Sequence, residues 1–285
     1  MCVPAALEAM GKAVSRRDLF KIAGTAAVGA VAARAGLTLG APERVEARSM
    51  SFSHIMDLTH VLDSKFPVFP IFKPFHMTDN TPPDFAKNGV YTNSWTTPEH
   101  VGTHMDAPIH FGRKVASARS MDAIPAARLI APAAVIHIHE RAARNADAAV
   151  ALKDVRDYEK RHGRIPQGAV VFMHSGWEVR VGDSKAFFNA DAKGTAHFPG
   201  FLHEATDFLM KERRVAGIGV DTLSLDPGNS PDFKVHFTWL GAGNKFGIEN
   251  VANLAAIPPA GATVFIGALK VRAASGGPLR VLAVW

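Results

Sequence analysis

The sequence predicts an α/β protein: a single compact domain with a central mixed β-sheet and flanking helices. Three observations support this. Apolar runs of strand length recur between stretches of helical period, and the strands outnumber the helices and alternate with them irregularly. Beyond residue 47 no internal repeat, low-complexity tract or interdomain linker divides the chain. At 285 residues with 47% hydrophobic content, the chain can bury a sizeable core.

Residues 1–47 are expected to be a leader rather than part of the fold. Ser15-Arg16-Arg17-Asp18-Leu19-Phe20-Lys21 sets paired arginines before the mildly apolar run Ile22 to Ala33, a twin-arginine pattern, and Val45-Glu46-Ala47 offers a small-x-small cleavage site. The run is short and rich in Gly and Ala, whereas a spanning helix needs about 20 strongly apolar residues, so no stable membrane insertion is expected after cleavage. The domain of residues 48–285 is then expected in the periplasm. Its net charge falls from +6 to +4 on loss of the leader.

Within that domain, Phe52 to Leu58 reads as a first strand, and Pro67 to Pro83 as a long loop without period. Ala133-Ala134-Val135-Ile136-His137-Ile138-His139 alternates like a half-buried strand. Val150 to His162 reads as a helix ending at Gly163, with Val155 and Tyr158 on its apolar side. Gly168 to His174 is expected as a buried strand, Leu202 to Arg214 as an amphipathic helix, and Val215 to Val220 and Thr263 to Leu269 as two further buried strands.

Composition excludes several classes. Lys and Arg are scattered, so no nucleic-acid footprint is present. The lone cysteine, Cys2, lies in the leader, so no disulfide framework holds the domain. All thirteen histidines fall after residue 50, and imidazole is both the commonest metal-binding side chain and the readiest acid/base near neutral pH.

Three of them fall in His100-Val101-Gly102-Thr103-His104-Met105-Asp106-Ala107-Pro108-Ile109-His110-Phe111. Gly102 and Pro108 oppose a continuous helix, so an irregular loop entering a strand is expected. In an extended chain His104 and Asp106 project to one side, and Gly102 lets the backbone fold His100 back toward them. Two imidazoles and a carboxylate leave coordination positions open, as a catalytic metal requires. Without thiolates, Zn2+, Mn2+ and Fe2+ all suit the donors, and such an ion lowers the pKa of bound water toward about 7. His110, four residues beyond Asp106, is placed to carry protons between that water and a leaving nitrogen.

The string H-V-G-T-H-M-D-A-P-I-H resembles the signature of the cyclase-like metal-dependent hydrolases, the family that includes bacterial kynurenine formamidases and isatin hydrolases. The resemblance extends to Ser175-Gly176-Trp177, His197-Phe198-Pro199-Gly200 and Gly219 to Asp226, and covers the chain from about Ile55 onward. It implies that His100, His104 and Asp106 bind metal and that His110 is the acid/base. It also implies that His236 and Glu249 complete a second metal position, with Asp106 bridging if both ions are present. The implied fold is a swivelling β/β/α domain with a barrel-like core, usually a homodimer or homotetramer, holding one or two divalent ions, Zn2+ or Mn2+. Asp221 and Asp226 read as structural, Asp before Pro227-Gly228 being a turn-former.

The expected function is hydrolysis of a small-molecule amide, formamide or lactam by a metal-activated hydroxide. Phe69, Phe72, Tyr91 and Trp95 are candidates to line the pocket. A lactonase or cyclase acting on esters would use the same centre, and a periplasmic metal or small-molecule binding protein would keep the scaffold without turnover. Intact His110 favours the enzyme.

Overall fold

The structure, a computed structural model, describes residues 50–285, and the leader expected over 1–47 lies outside them. Its strands are β1 (Ile55–Asp57), β2 (His76–Asp79), β3 (Asn93–Thr96), β4 (His104–Asp106), β5 (Ile130–His137), β6 (Ala149–Val150), β7 (Val170–His174), β8 (Gly200–Phe201), β9 (Gly217–Val220), β10 (Phe246–Glu249), β11 (Thr263–Ala268) and β12 (Gly276–Val284). The main sheet runs β1-β12-β11-β5-β7-β9-β10-β4. It closes because β4 pairs antiparallel with β10 on one edge and with β12 on the other. Closure removes the free edges of the sheet, with β1 added as an outer strand on β12.

The barrel is mixed. β5, β7, β9 and β10 are parallel neighbours, whereas β11, β12 and β4 pair antiparallel. Parallel strands are covered on both faces, which is why β5 and β7 read as nearly continuous apolar runs. Ala133, Val135, Val170 and Phe172 face the barrel interior with Met105, Ile248, Val264 and Val281. The alternate residues Ala134, Ile136, Val171 and Met173 face outward, where they meet Val155 and Tyr158 of one helix, Ala205 and Leu209 of a second, and Val235, Trp239 and Leu240 of a third.

These helices span Leu152–His162, His203–Lys211 and Lys234–Leu240. Each fully buried apolar side chain among them contributes about 1.5–3 kcal/mol. The inward positions of β9 are Gly217 and Gly219. A Cβ at residue 219 would stand 2.5 Å from the Phe172 ring, so glycine there makes room for the barrel's large side chains.

The expected elements are found with shifted ends. The first helix starts at Leu152, because Val150 is taken into β6. The second is shorter than expected, and β2 interrupts the loop expected over residues 67–83. His139 is a correction: it lies beyond β5 and opens a short helix, His139–Ala142. No helix among the described residues is long and apolar enough to cross a membrane.

Candidate metal centre

Strand β4 fixes the site through its pleat. Met105 points into the barrel core, so His104 and Asp106, its neighbours, point out. In register, His104 lies opposite Glu249 on β10, while Asp106 lies opposite Gly247 on β10 and Gly276 on β12. Both glycines are needed for space: a Cβ at residue 276 would stand 2.5 Å from His100 Cε1, and one at 247 would stand 2.6 Å from Leu225 Cδ1. Gly102, at φ +65°, makes the bend that returns His100 to Asp106, as its place in the sequence predicts. The helix Lys234–Leu240 then lays His236 over the pair of strands.

Four buried side chains converge. His104 Nε2 lies 3.3 Å from Asp106 Oδ1 and 3.4 Å from Glu249 Oε2. His236 Nε2 lies 3.5 Å from Asp106 Oδ2 and 3.2 Å from Glu249 Oε1. Each carboxylate therefore offers one oxygen to each imidazole. His100 joins from the rim, with Nδ1 at 2.8 Å from Asp106 Oδ1 and Nε2 at 3.1 Å from Ser275 Oγ.

The protons of the two central rings are already committed. His104 Nδ1–H donates to the Gly102 carbonyl at 2.9 Å, and His236 Nδ1–H donates to Asp226 Oδ2 at 2.6 Å. With Nδ1 so engaged, each ring turns Nε2 toward carboxylate oxygens, and a proton or a cation must lie between them. His104 Nε2 and Asp106 Oδ2 are buried without a hydrogen-bond partner. Such groups are costly unless a proton or cation sits between them. The separations match the roughly 3.4 Å edge of a tetrahedron of ligands at about 2.1 Å from one ion. The residues present fit a divalent cation.

The electrostatics agree. Burial alone would lower the pKa of His104 and of His236. Against it, Asp106 and Glu249 raise His104, and Asp106, Asp226 and Glu249 lift His236 well above its ordinary value. Burial would raise Asp106, but His100, His104 and His236 hold it well below the usual carboxylate range. Glu249 is raised, first by burial and then by the charge of Asp106. The field that draws protons onto these rings also draws a metal ion.

His110 sits in the short helix Ile109–Gly112 and stacks on His100, with ring centroids 3.8 Å apart. Burial pushes it down to about 4, with Asp106 opposing and His100, His236 and His104 adding to the effect, so the ring is neutral at pH 7 and able to accept a proton. It faces a cavity of about 190 Å³ whose walls include Phe69, Phe72, Phe111 and Phe233, with His236 and Glu249 at its base. Phe69 and Phe72 line it as expected. Tyr91 and Trp95 do not: both are exposed, and Trp95 lies on the β2–β3 hairpin.

Asp226 is a second correction. It is more than a turn-former, because its carboxylate accepts from His236 Nδ1 and from the backbone N–H groups of Val235 and His236, fixing both the ring and the start of its helix. The sequence offers no periodic signal linking it to a histidine ten residues away. Asp221 is structural as expected, accepting from Ser175 Oγ and from the Ser175 and Gly176 amides. Asn250, at φ +55°, was also missed. Its Nδ2 donates to the Gly102 carbonyl that orients His104.

Comparisons with known proteins converge on one family. The family model described as "Cyclase: Putative cyclase" matches residues 56–227. Isatin hydrolase of Roseibium aggregatum is 32% identical over 252 residues, spanning 81% of this chain and 91% of the relative. Among solved structures, isatin hydrolase A from Ralstonia solanacearum superposes with a TM-score of 0.75 at 37% identity, covering 81% of this chain and 91% of that one. An isatin hydrolase bound to the product analogue thioisatinate superposes equally well, with a TM-score of 0.75 at 30% identity, covering 81% and 92%.

Proposed function

The chain belongs to the cyclase family, and on that premise we propose that it is a metal-dependent hydrolase that cleaves the carbon–nitrogen bond of a small amide, with a cyclic amide fused to an aromatic ring as the favoured class. One observation carries this reading: two buried imidazoles, their Nδ1–H groups committed elsewhere, turn Nε2 on two buried carboxylates beside a cavity walled by phenylalanines.

His104, Asp106, His236 and Glu249 would hold the cation, with His100 at the rim, and Zn2+ or Mn2+ suits this set of imidazole and carboxylate donors. When bound, a divalent cation there polarises a carbonyl and brings the pKa of water toward about 7. The protein supplies the rest. Phe69, Phe72, Phe111 and Phe233 offer flat apolar walls for an aryl ring and exclude water. Neutral His110 at the cavity edge takes a proton from attacking water and returns it to the departing nitrogen. Asp226 keeps the His236 ring turned so that its free nitrogen faces the carboxylates.

A hydrolysis screen of isatins, lactams, N-formyl aromatic amines and aryl lactones tests the reading. Turnover of the cyclic amides is expected. Turnover confined to lactones would replace the amide assignment with an ester one. The leader, together with this centre, supports export of a folded, metal-loaded enzyme to the periplasm. Cell fractionation of wild type and an Arg16→Lys, Arg17→Lys variant tests that, with cytoplasmic retention expected only for the variant. Assembly as a homodimer or homotetramer, as the family resemblance implies, is checked by light scattering.

A further inference from the structure

A second group of histidines lies at the ends of β5 and β7. His137 and His174 are register partners across these parallel strands, and both continue the inward-facing positions Val135 and Phe172, which places them at the mouth of the barrel. His139 follows at the start of its short helix. Each of the three offers a ring nitrogen within 4.8 Å of the other two. The closest approach is His137 Nδ1 to His174 Nδ1, at 2.8 Å. None of these residues contributes to the metal centre on β4.

We propose that His137, His139 and His174 form a second metal site, selective for a borderline transition ion such as Zn2+, Ni2+ or Cu2+. Three imidazoles without a carboxylate favour such ions over Mg2+, Ca2+ or Mn2+. Three protein ligands also leave a coordination position for a small exogenous ligand. Two features beyond proximity support the assignment. The facing Nδ1 atoms hold at most one shared proton between neutral rings, and an ion that displaces that proton takes a lone pair from each ring. His174 is also buried at the end of β7, and burial favours the uncharged form of the ring that a metal ion requires.

The surroundings define the outer ligand. His137 and His139 open onto a cavity of about 410 Å³ that also holds Glu140, Arg141, Arg144 and Arg161. Arg141 is engaged by Asp154 through two hydrogen bonds of 3.0 and 2.8 Å. Arg144 and Arg161 add positive charge on the open side. A bare cation is disfavoured there, while a cation carrying a small anion such as hydroxide or chloride is accommodated.

The test counts Zn2+ after equilibrium dialysis of the full chain against the metal alone, in wild type, His139→Ala and His137→Gln. His139 is exposed, so its replacement leaves the core intact. Wild type is expected to retain one more Zn2+ per chain than either variant, or to bind that ion at least about tenfold more tightly. Amide hydrolysis by His139→Ala is expected to stay within twofold of wild type. Equal zinc counts and affinities in wild type and both folded variants would overturn the site. Loss of zinc accompanied by equal loss of hydrolysis would also overturn it, because the ion lost would then be the one at β4. Both readouts are differences between variants, so they do not depend on how many ions the β4 centre holds.

Discussion

The two histidine clusters of this barrel use one side chain in opposite electrostatic settings. At β4 the rings of His104 and His236 face Asp106 and Glu249, and both are raised despite complete burial. At the β5–β7 mouth, His137 and His174 face other imidazoles and arginine, and both are lowered, first by burial and then by like charge. Carboxylates therefore decide the difference. They make the β4 cluster a strong cation trap, while the all-imidazole cluster must rely on the lone pairs of neutral rings.

The largest effect expected from breaking this contrast comes from Asp106→Asn, which removes the charge shared by both β4 imidazoles. Hydrolysis should fall by three or more orders of magnitude, consistent with the several kcal/mol a Lewis-acid centre supplies, and metal content should fall with it. Normal turnover with full metal would show that Asp106 is not at the heart of the site. Next in size is His110→Ala. Activity should drop by about 10²–10⁴-fold while bound metal stays near wild type, because His110 moves protons without touching the central donors. Loss of metal in step with activity would reassign His110 to the ligand set.

A smaller effect is expected for Asp226→Asn. The ring it orients keeps its place but loses a charged partner, so metal affinity should fall by about 10–100-fold. A metal titration that overlays wild type would make Asp226 a helix cap alone. The smallest effect concerns acid stability and sharpens the other side of the comparison. The folded pKa of His174 lies near 4, below its ordinary 6.5, so the folded state binds fewer protons than the unfolded chain between these values. The associated stability is fully present above about pH 6.5 and is lost as the pH falls toward 4, by about 1–2 kcal/mol after the roughly 3 kcal/mol of the full shift is discounted for solvent screening of this ring at the barrel mouth. Urea unfolding in chelator at pH 7 and pH 5 should show a steeper loss for wild type than for His174→Gln. Equal losses would contradict this.

How far this was legible in sequence follows from the range of each interaction. The segment His100 to His110 announces itself because its donors are close in the chain and Gly102 bends it out of helix before β4, although Pro108, expected to oppose a helix, opens the short one that carries His110. β5 and β7 are legible because strands buried on both faces must be apolar throughout. β12 was not, since it begins Gly276-Gly277-Pro278, which reads as a turn. Gly276 is glycine because His100 fills the space beside it, a fact held 176 residues away. Strand β10, only four residues long, gives no period to detect. His139 looked like the next residue of the strand on the His137 face, but the chain turns into a helix there, and that turn gathers the three imidazoles at the mouth.

The central claim is that buried lone pairs and carboxylates at β4 hold a cation that makes hydrolysis possible. The most direct measurement removes metal from purified protein with a strong chelator, then restores Zn2+ or Mn2+ stepwise, recording ion content and cyclic-amide turnover on the same samples. The account predicts that turnover vanishes with the ion, returns in proportion to it, and does not return in His104→Ala. Undiminished turnover in protein shown by elemental analysis to carry no metal would contradict it.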